Sequence, residues 1–277
     1  MPPSTPVCNF DHCILAVRDL ATASATFRAL GFTLSPPGRH PARGTANACI
    51  MFANGYIELL ALDTPDSRES FLREFLDAGE GISAIALAPD DTDRCHGVLA
   101  RWDAADGAPV TGSRAMETPS GVREVRFRVC RVKGQPILPG RVFFCEHLDR
   151  EHVYAAPLLR HANGARRLAG LTVIGDTAAV IDAERAVALG LVRRDEGNAA
   201  RLDAGGVVIE IVPALAHRSR LRPPGQMVAP RLAIAGADIA AVAAAARGLG
   251  IAVTEPAPRS ISLAVHGVDI ALTGGDA

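Results

Sequence analysis

Two ionisable residues lie within apolar stretches of the sequence, where each would need a specific partner. Glu58 interrupts the run YIELLAL that starts at Tyr56, and His12 follows Asp11 in the run FDHCILAV. A carboxylate buried in such a run must be paired, protonated or bound to a metal ion. Imidazole nitrogen and carboxylate oxygen together suit Zn, Mn, Fe, Co or Ni. His12 alone could equally be a polar residue at the start of a strand that is bonded to the backbone.

A second group of candidate residues lies in turns and loops. Thr45 and Asn47, in the motif G-T-A-N, could hydrogen-bond a ligand or simply form a turn that leads into a strand. Arg39 could hold an anionic group such as a carboxylate, or belong to a solvated basic loop. His161 and Asn163, in the motif H-A-N-G, could contact a ligand or hold a linker in place, since Asn-Gly is a turn signal.

The elements that must position these residues recur four times along the chain. Each segment opens with a short apolar strand, turns at Asp, continues as a helix, breaks at Gly and ends in extended segments. Asp can cap the start of such a helix, and Gly can end it. In the first, third and fourth segments these residues are Asp19 and Gly31, Asp176 and Gly190, and Asp238 and Gly250. The second segment is the loosest and places its helix near 92–104.

The repeat predicts an α+β protein of four βαβββ modules in two pairs. Each pair should form a half-open curved mixed β-sheet flanked by helices. The expected boundaries are a first pair at 8–148 (modules 8–62 and 82–148), a linker at 149–166, and a second, degenerate pair at 167–274 (modules 167–213 and 230–274). We also expect a short helix between the first two modules, because Asp66 and Glu69 have capping-box spacing before an apolar stripe. A link that contains Pro and Arg, 214–230, separates modules three and four.

Several motifs carry a resemblance to a known superfamily. D-H-x-x-L-x-V-x-D-L at 11–20 and Y-I-E-L-L at 56–60 resemble the vicinal-oxygen-chelate superfamily, which includes glyoxalase I, extradiol dioxygenases, methylmalonyl-CoA epimerase and antibiotic-resistance proteins. G-T-A-N at 44–47, C-E-H at 145–147 and H-A-N-G-A at 161–165 are similar, more narrowly, to the glyoxalase-like domain family. The resemblance covers modules one and two well, and the remainder of the chain only through its repeat pattern.

The resemblance implies that two modules curl around a cavity and that each offers one metal ligand from its first strand and one from its last. In module one these positions hold His12 and Glu58. In module two they hold Ala84, which cannot bind a metal, and Glu146. We therefore expect His12, Glu58 and Glu146 to hold one divalent ion, with Glu58 and Glu146 as the catalytic proton carriers.

Two neighbours of these residues are candidate substrate contacts. Tyr56 should share a face with Glu58, because side chains alternate along a strand. His147 follows Glu146 directly and should point to the opposite face, unless a bulge redirects it.

The second pair of modules lacks most of these residues. Module three has Ala169 and Glu210 at the two positions, and module four has Arg231 and Ala271. We therefore expect the second pair to be a structural partner half or to form a cavity that binds without metal. This also argues against an extradiol dioxygenase, since the resemblance would then imply an iron site in the later half.

Composition excludes several other classes of protein. Among 277 residues the formal net charge is -1, so nothing marks a nucleic-acid or acidic-membrane partner. No apolar run reaches the roughly 18 residues of a membrane-spanning helix, and the start of the chain lacks the pattern of a secretory signal. The six cysteines have no C-x-x-C spacing, which favours buried free thiols and a cytoplasmic protein. We expect a monomer or a homodimer whose partner is a small-molecule ligand.

Two functions from different classes remain open at this point. The first is a metal-dependent lyase or isomerase that acts on a small oxygenated carbonyl compound. The second is a non-catalytic binding or sequestration protein without a metal ion, which the missing ligand at Ala84 favours. The fold alone cannot distinguish them.

Overall fold

Four modules of one strand, one helix and three strands make up the fold of the protein. The computed structural model describes residues 6–41, 43–118, 121–213, 223 and 226–275. Module one comprises β1 (Cys8–Ala16), α1 (Leu20–Ala29), β2 (Gly38–His40), β3 (Thr45–Phe52) and β4 (Gly55–Leu62). After α2 (Ser70–Asp77), module two comprises β5 (Gly81–Pro89), α3 (Thr92–Arg101), β6 (Val110–Thr118), β7 (Gly121–Arg131) and β8 (Arg141–His147).

The second half repeats this order after the short helix α4 (Arg150–Val153) and a 3-10 turn at Ala156–Leu159. Module three comprises β9 (Arg167–Ile174), α5 (Ala183–Ala188), β10 (Val192–Glu196), β11 (Ala199–Ala204) and β12 (Val207–Val212). Module four comprises β13 (Arg231–Ala237), α6 (Ile239–Gly248), β14 (Val253–Ala257), β15 (Ser260–Val265) and β16 (Val268–Gly274).

Each pair of modules builds one eight-stranded mixed sheet. The strand orders are β2-β3-β4-β1-β5-β8-β7-β6 and β10-β11-β12-β9-β13-β16-β15-β14. In the first sheet β1 pairs in parallel with β4 and antiparallel with β5, and β9 has the same two kinds of neighbour in the second. The predicted fold class, two pairs of βαβββ modules, is confirmed.

Asp residues cap the starts of helices and Gly residues follow their ends, as the sequence predicts. Backbone N–H groups in the first turns of α1, α3 and α6 donate to the side chains of Asp19, Asp91 and Asp238. These bonds satisfy donors that have no partner within a helix. Gly31, Gly190 and Gly250 follow α1, α5 and α6 with φ of 85°, 81° and 70°, a conformation that a glycine adopts without strain.

The structure differs from the prediction in two elements. The single helix expected over 177–189 is a 3-10 turn at Thr177–Ala179 followed by α5, because Asp182 accepts from the N–H of Arg185 and starts a new helix. Strand β6 has no counterpart in the prediction, because its sequence VTGSRAMET contains few apolar residues. The predicted link at 214–230 falls mostly outside the described residues.

The first sheet has an apolar face towards the helices and a second face that closes on itself. Side chains such as Leu15 and Leu59 pack with Phe27 of α1 and Val98 of α3, in a core that also contains residues of the second half. On the other face the two edge strands, β2 and β6, come into contact, so the sheet curls into a nearly closed barrel. Helix α2 covers one end of this inner face at Ala16.

The inner face is covered at its other end by the segment Arg150–Leu159. Side chains of this segment pack there against side chains of the sheet in one hydrophobic cluster. The segment contributes Val153, Tyr154, Leu158 and Leu159, and the sheet contributes Cys49, Met51, Tyr56, Met116 and Val125. None of the helices in the described part of the chain is both long and apolar enough to span a membrane.

Candidate functional site

A bulge in β1 brings two neighbouring residues to the inner face of the first sheet. The pairing of β1 with β5 shifts register between Phe10 and His12, so that Asp11 is the extra residue. Phe10 packs into the core on the helix side. Asp11 and His12 instead meet side chains of the inner face, and both are buried. Adjacent residues of a regular strand would point to opposite faces, so the bulge makes this arrangement.

The imidazole of His12 lies between two carboxylates. His12 Nδ1 is 2.7 Å from Asp11 Oδ2, and His12 Nε2 is 3.6 Å from Glu58 Oε2. The ring stacks on Tyr56 with 4.5 Å between ring centroids, and it makes a T-shaped contact with Phe143 with 5.5 Å between centroids. The ring therefore has a fixed orientation, and both of its nitrogens face an acidic group.

Asp11 accepts hydrogen bonds from three side chains. Besides His12, His147 Nε2 donates to Oδ2 at 3.1 Å and the Tyr154 hydroxyl donates to Oδ1 at 3.2 Å. Burial alone would raise the pKa of Asp11, but the charge of His147 and the hydrogen bonds from both imidazoles outweigh it and lower the pKa below its usual range. Asp11 is therefore an ionised, acceptor-only carboxylate that holds both rings in place.

The space between His12 and Glu58 calls for a positive charge. Because Asp11 only accepts, His12 Nδ1 must carry a proton. In a neutral imidazole Nε2 then has a lone pair, and this lone pair faces the carboxylate oxygen of Glu58. A proton or a cation between two such acceptors would remove their mutual repulsion. Ligands bound about 2 Å from one metal ion would have a separation close to that observed.

Asn47 of β3 contacts Glu58 of the neighbouring strand β4, and Thr45 lies two residues before Asn47. The Asn47 side-chain amide donates from Nδ2 to Glu58 Oε1 at 2.5 Å. Thr45 is buried and its hydroxyl is 3.0 Å from Nδ1 of His40. Asn47 thus fixes one oxygen of Glu58 and leaves the other towards His12.

A second group of donor atoms surrounds Asp11. Three possible ligand atoms lie within 4.8 Å of one another, one each from Asp11, Cys145 and His147. This arrangement could also hold a metal ion. Burial, and then the charges of Asp11 and Glu58, raise the pKa of the Cys145 thiol well above its ordinary value. Asp11 already accepts hydrogen bonds from three side chains, so this group also orients the His12 ring beside Glu58.

Module two offers no ligand at the matching positions. In module one, Ile14 lies five residues before the helix cap Asp19 and pairs with Glu58. In module two, Ala86 lies five residues before the helix cap Asp91 and pairs with Phe143. Phe143 thus takes the place that Glu58 has in module one, and Ala84 takes the place of His12. An ion between His12 and Glu58 would complete its coordination with water or substrate.

The structure places His147, and not Glu146, on the inner face of the first sheet. Strand β8 turns Cys145 and His147 to the inner face, where they meet Asp11. Glu146 lies on the helix side, and its Oε2 accepts from the Thr92 hydroxyl at the start of α3 at 2.5 Å. The sequence placed Glu146 with His12 and Glu58, but the geometry separates it from them, because the inner face of β8 carries the odd-numbered positions.

Three other predicted ligand contacts lie elsewhere. The Arg39 side chain is 72% exposed and pairs with Asp63 at 2.6 Å. His161 Nδ1 accepts from the N–H of Thr33, and its Nε2 is 3.0 Å from the Met51 carbonyl. Asn163 donates to the carbonyl of Leu30 and accepts from the N–H of Ala165. His161 and Asn163 therefore hold the linker against the end of α1, which is the second of the two alternatives that the sequence left open.

Sequence reasoning did not identify four residues that face this site. Asp11 is part of the quoted D-H motif, but only a bulge brings it to the same side as His12. Cys145 stands one residue before the position that seemed to carry the ligand. Tyr154 lies in the irregular linker, and Arg114 lies in the unpredicted strand β6.

Comparison with known proteins identifies the family. The model of the glyoxalase-like domain family matches residues 10–189, about two thirds of the chain. The chain belongs to the glyoxalase-like domain family. The expected resemblance to the vicinal-oxygen-chelate superfamily is confirmed. No protein of the curated set matches the sequence.

Solved structures show the same fold at low sequence identity. A hypothetical protein from Staphylococcus aureus is 13% identical with a TM-score of 0.68, over 97% of this chain and all (100%) of that one. A triple mutant of 4-hydroxymandelate synthase from Streptomyces coelicolor is 14% identical with a TM-score of 0.60, over 98% and 95%. The Mn(II)-bound glyoxalase from Novosphingobium aromaticivorans is 14% identical with a TM-score of 0.58, over 96% and 81%.

Proposed function

We propose that this glyoxalase-like protein is a metal-dependent lyase or isomerase that acts on a small oxygenated carbonyl compound, with His12 and Glu58 as the protein ligands of a divalent ion. The observation that carries the proposal is the pair of acceptors His12 Nε2 and Glu58 Oε2, which face each other at 3.6 Å. Two structural neighbours are a synthase and a Mn(II)-bound glyoxalase by name, which agrees with such a role.

The residues present fit a divalent ion of the Zn, Mn, Fe, Co or Ni group. His12 offers nitrogen and Glu58 offers oxygen, the ligand types that these ions accept. His12 also donates its other nitrogen to a carboxylate, as metal-binding histidines commonly do, and this fixes its tautomer. When bound, such an ion supplies Lewis acidity towards two neighbouring oxygens of a substrate.

The chain's own residues would divide the remaining work. Glu58 Oε2 is the group that would take and return a proton at the carbon next to the substrate carbonyl. Asn47 holds the other oxygen of Glu58, so that the carboxylate keeps one orientation during this exchange. Tyr56 supports the His12 ring by stacking, and the segment Arg150–Leu159 shields this face from water.

A metal-free binding protein is the second candidate. The observation that favours it is the apolar pair at the matching positions of module two, where Ala84 and Phe143 replace ligands. A proton on His12 Nε2 would then satisfy Glu58, and the inner face would bind a small molecule without chemistry. The six cysteines are free, which supports a cytoplasmic location for either candidate.

Metal content and metal affinity separate the two candidates. We expect the purified protein to contain a divalent ion by elemental analysis, and the chelator-treated protein to bind Mn²⁺ or Zn²⁺ in a calorimetric titration. His12→Ala should weaken the affinity by at least about 10–100-fold, the effect of losing even an outer partner of a ligand. Glu210→Gln is the matched control, because Glu210 has the Glu58 position in module three but pairs with Arg201 at 2.8 Å. Binding by His12→Ala equal to wild type, or no binding by wild type, would remove the metal-dependent enzyme and leave the binding protein.

A further inference from the structure

Arg114 brings a positive charge to the inner face of the first sheet. It lies on β6 opposite Val125 and two residues before Met116, and both of these side chains belong to the inner apolar cluster. Alternation along the strand therefore turns the partly buried Arg114 to the same face as Glu58. Within the residues that the structure describes, its guanidinium has no hydrogen bond or ion pair. A guanidinium has five N–H donors, so such a group can bind an anion.

The surroundings keep Arg114 charged. Burial would lower its pKa, but interactions with neighbouring ionisable groups, Cys49 first, then Tyr56, Glu58 and Cys145, raise it above its ordinary value. Arg114 therefore faces the same region as the proposed ligand Glu58 without being neutralised by a direct contact. An anionic ligand that reaches Glu58 from solvent would meet this guanidinium.

Asn47 contributes an acceptor that has no donor. Its Nδ2 must face the Glu58 carboxylate, because a carboxylate only accepts, and this fixes Oδ1 on the opposite side of the amide. Asn47 is only 2% exposed, and Oδ1 is fully buried without a hydrogen-bond partner among the described residues. A buried acceptor of this kind costs free energy unless a ligand or water donates to it.

Gly38 of β2 lies next to both Asn47 Oδ1 and the guanidinium of Arg114. A Cβ at Gly38 would stand 2.5 Å from Asn47 Oδ1 and 3.3 Å from Arg114 Nη1. Both atoms therefore border one place on the inner face, and any larger residue at 38 would cover them. The buried acceptor Asn47 Oδ1 and the guanidinium of Arg114 therefore border one place, and Glu58 lies beside Asn47.

We infer that Arg114 and Asn47 recognise a small 2-hydroxy carboxylic acid, whose carboxylate binds Arg114 and whose hydroxyl donates to Asn47 Oδ1. This rests on the proposed function and narrows its substrate class. The carbon between the two groups of such an acid would lie next to Glu58, the residue that would move its proton. Neutral carbonyl compounds would leave Arg114 without an anion.

Three matched probes test the two contacts separately. Lactate has both groups, propanoate lacks the hydroxyl, and propane-1,2-diol lacks the carboxylate. Their dissociation constants are measured by ligand-observed NMR titration on chelator-treated full-length protein. Wild type should bind lactate at least about tenfold more tightly than either analogue. Propane-1,2-diol lacks the hydrogen bond to the charged Arg114, and propanoate leaves the buried Asn47 Oδ1 without a donor.

Variants assign each preference to its residue. Arg114→Gln should lose at least about tenfold in lactate affinity, and Arg114→Lys, which keeps the charge but not the planar fork, should fall between. Asn47→Ala should bind lactate and propanoate alike. Arg39→Gln is the control, because Arg39 is exposed and already paired with Asp63, and it should match wild type.

The outcomes separate this inference from the proposed metal site. Lactate affinity unchanged in Arg114→Gln, or a wild type that does not prefer lactate to propane-1,2-diol, would overturn the inference even if the protein binds Mn²⁺ through His12. Preference for lactate that depends on Arg114 in a protein that binds no metal would overturn the metal site and support the inference.

Discussion

His12 and Asp11 are neighbours in the chain, yet both side chains lie on the inner face of the sheet, where His12 Nδ1 donates to Asp11 Oδ2 at 2.7 Å. The bulge between Phe10 and His12 makes this contact. As a result one buried carboxylate sets the tautomer and orientation of the ring that faces Glu58, and the same carboxylate accepts from His147.

Asp11→Asn should weaken both metal binding and folding. The amide cannot accept from both imidazoles and Tyr154 as the carboxylate does, and one of its new N–H donors would face another donor. We expect metal affinity to fall by about 10–100-fold, as for other outer partners of a ligand. Breaking a buried ionic network from one side should lower the free energy of unfolding by about 3 kcal/mol.

Urea unfolding and calorimetric titration measure the two effects of Asp11→Asn. The control is Asp63→Asn, which breaks the exposed pair with Arg39 and should cost no more than about 1 kcal/mol. If Asp11→Asn unfolds at the same urea concentration as Asp63→Asn, then Asp11 does not organise the site.

Glu58→Gln should separate metal affinity from stability. The variant removes a carboxylate ligand, so the affinity for Mn²⁺ should fall, while it also removes a negative charge that is largely buried. The melting temperature of the metal-free protein should therefore stay level or rise, since replacing a buried charge is often neutral or stabilising. Glu210→Gln should change neither the ion content nor the affinity. A clear drop in the melting temperature of Glu58→Gln would show that Glu58 is instead held by a proton on His12.

Much of the fold could be predicted because its signals are local. Asp19, Gly31 and their counterparts mark helix ends by their own side-chain and backbone chemistry, and this punctuation reveals the repeat. Strand β6 and the break before α5 escaped prediction, because contacts with distant segments decide them. Arg114 was missed for the same reason, since its face depends on a strand that has no apolar alternation.

The candidate site was only partly predictable, because one residue of register decides which face a side chain takes. His12, Asn47, Tyr56 and Glu58 lie in contact on the inner face. In β8 the expected and observed inward residues differ by one position, so that His147 takes the place expected of Glu146. The bulge at Asp11 likewise has no signature in a single sequence.

Glu146→Gln should therefore leave metal binding unchanged. Its carboxylate accepts from Thr92 on the helix side, and a glutamine oxygen can accept the same bond. We expect Mn²⁺ affinity within about twofold of wild type and a loss of stability of about 1 kcal/mol or less. His147→Ala is the companion variant, and it should lower metal affinity by about tenfold, because Asp11 would lose one of the donors that orient it. Weakened metal binding by Glu146→Gln would restore Glu146 to the site.

Asp149 should give the protein a measurable acid limb of stability. The Arg126 side chain and backbone N–H both donate to Asp149, and these bonds lower the pKa of Asp149 to about 2. The unfolded chain has a value near 3.9 for Asp, so between about pH 4 and pH 2 it binds more protons than the folded protein. The stabilisation by Asp149 is therefore complete above about pH 4 and is lost as the pH falls towards 2.

Asp149→Asn should flatten this part of the stability curve in urea unfolding from pH 6 to pH 2, and Asp77→Asn controls for the removal of one carboxylate from the surface. Because Asp149 precedes the segment that covers Tyr56, the same variant should be cleaved faster by protease near Arg150 at neutral pH. Acid limbs of equal slope in Asp149→Asn and wild type would show that the contacts with Arg126 do not stabilise the folded chain.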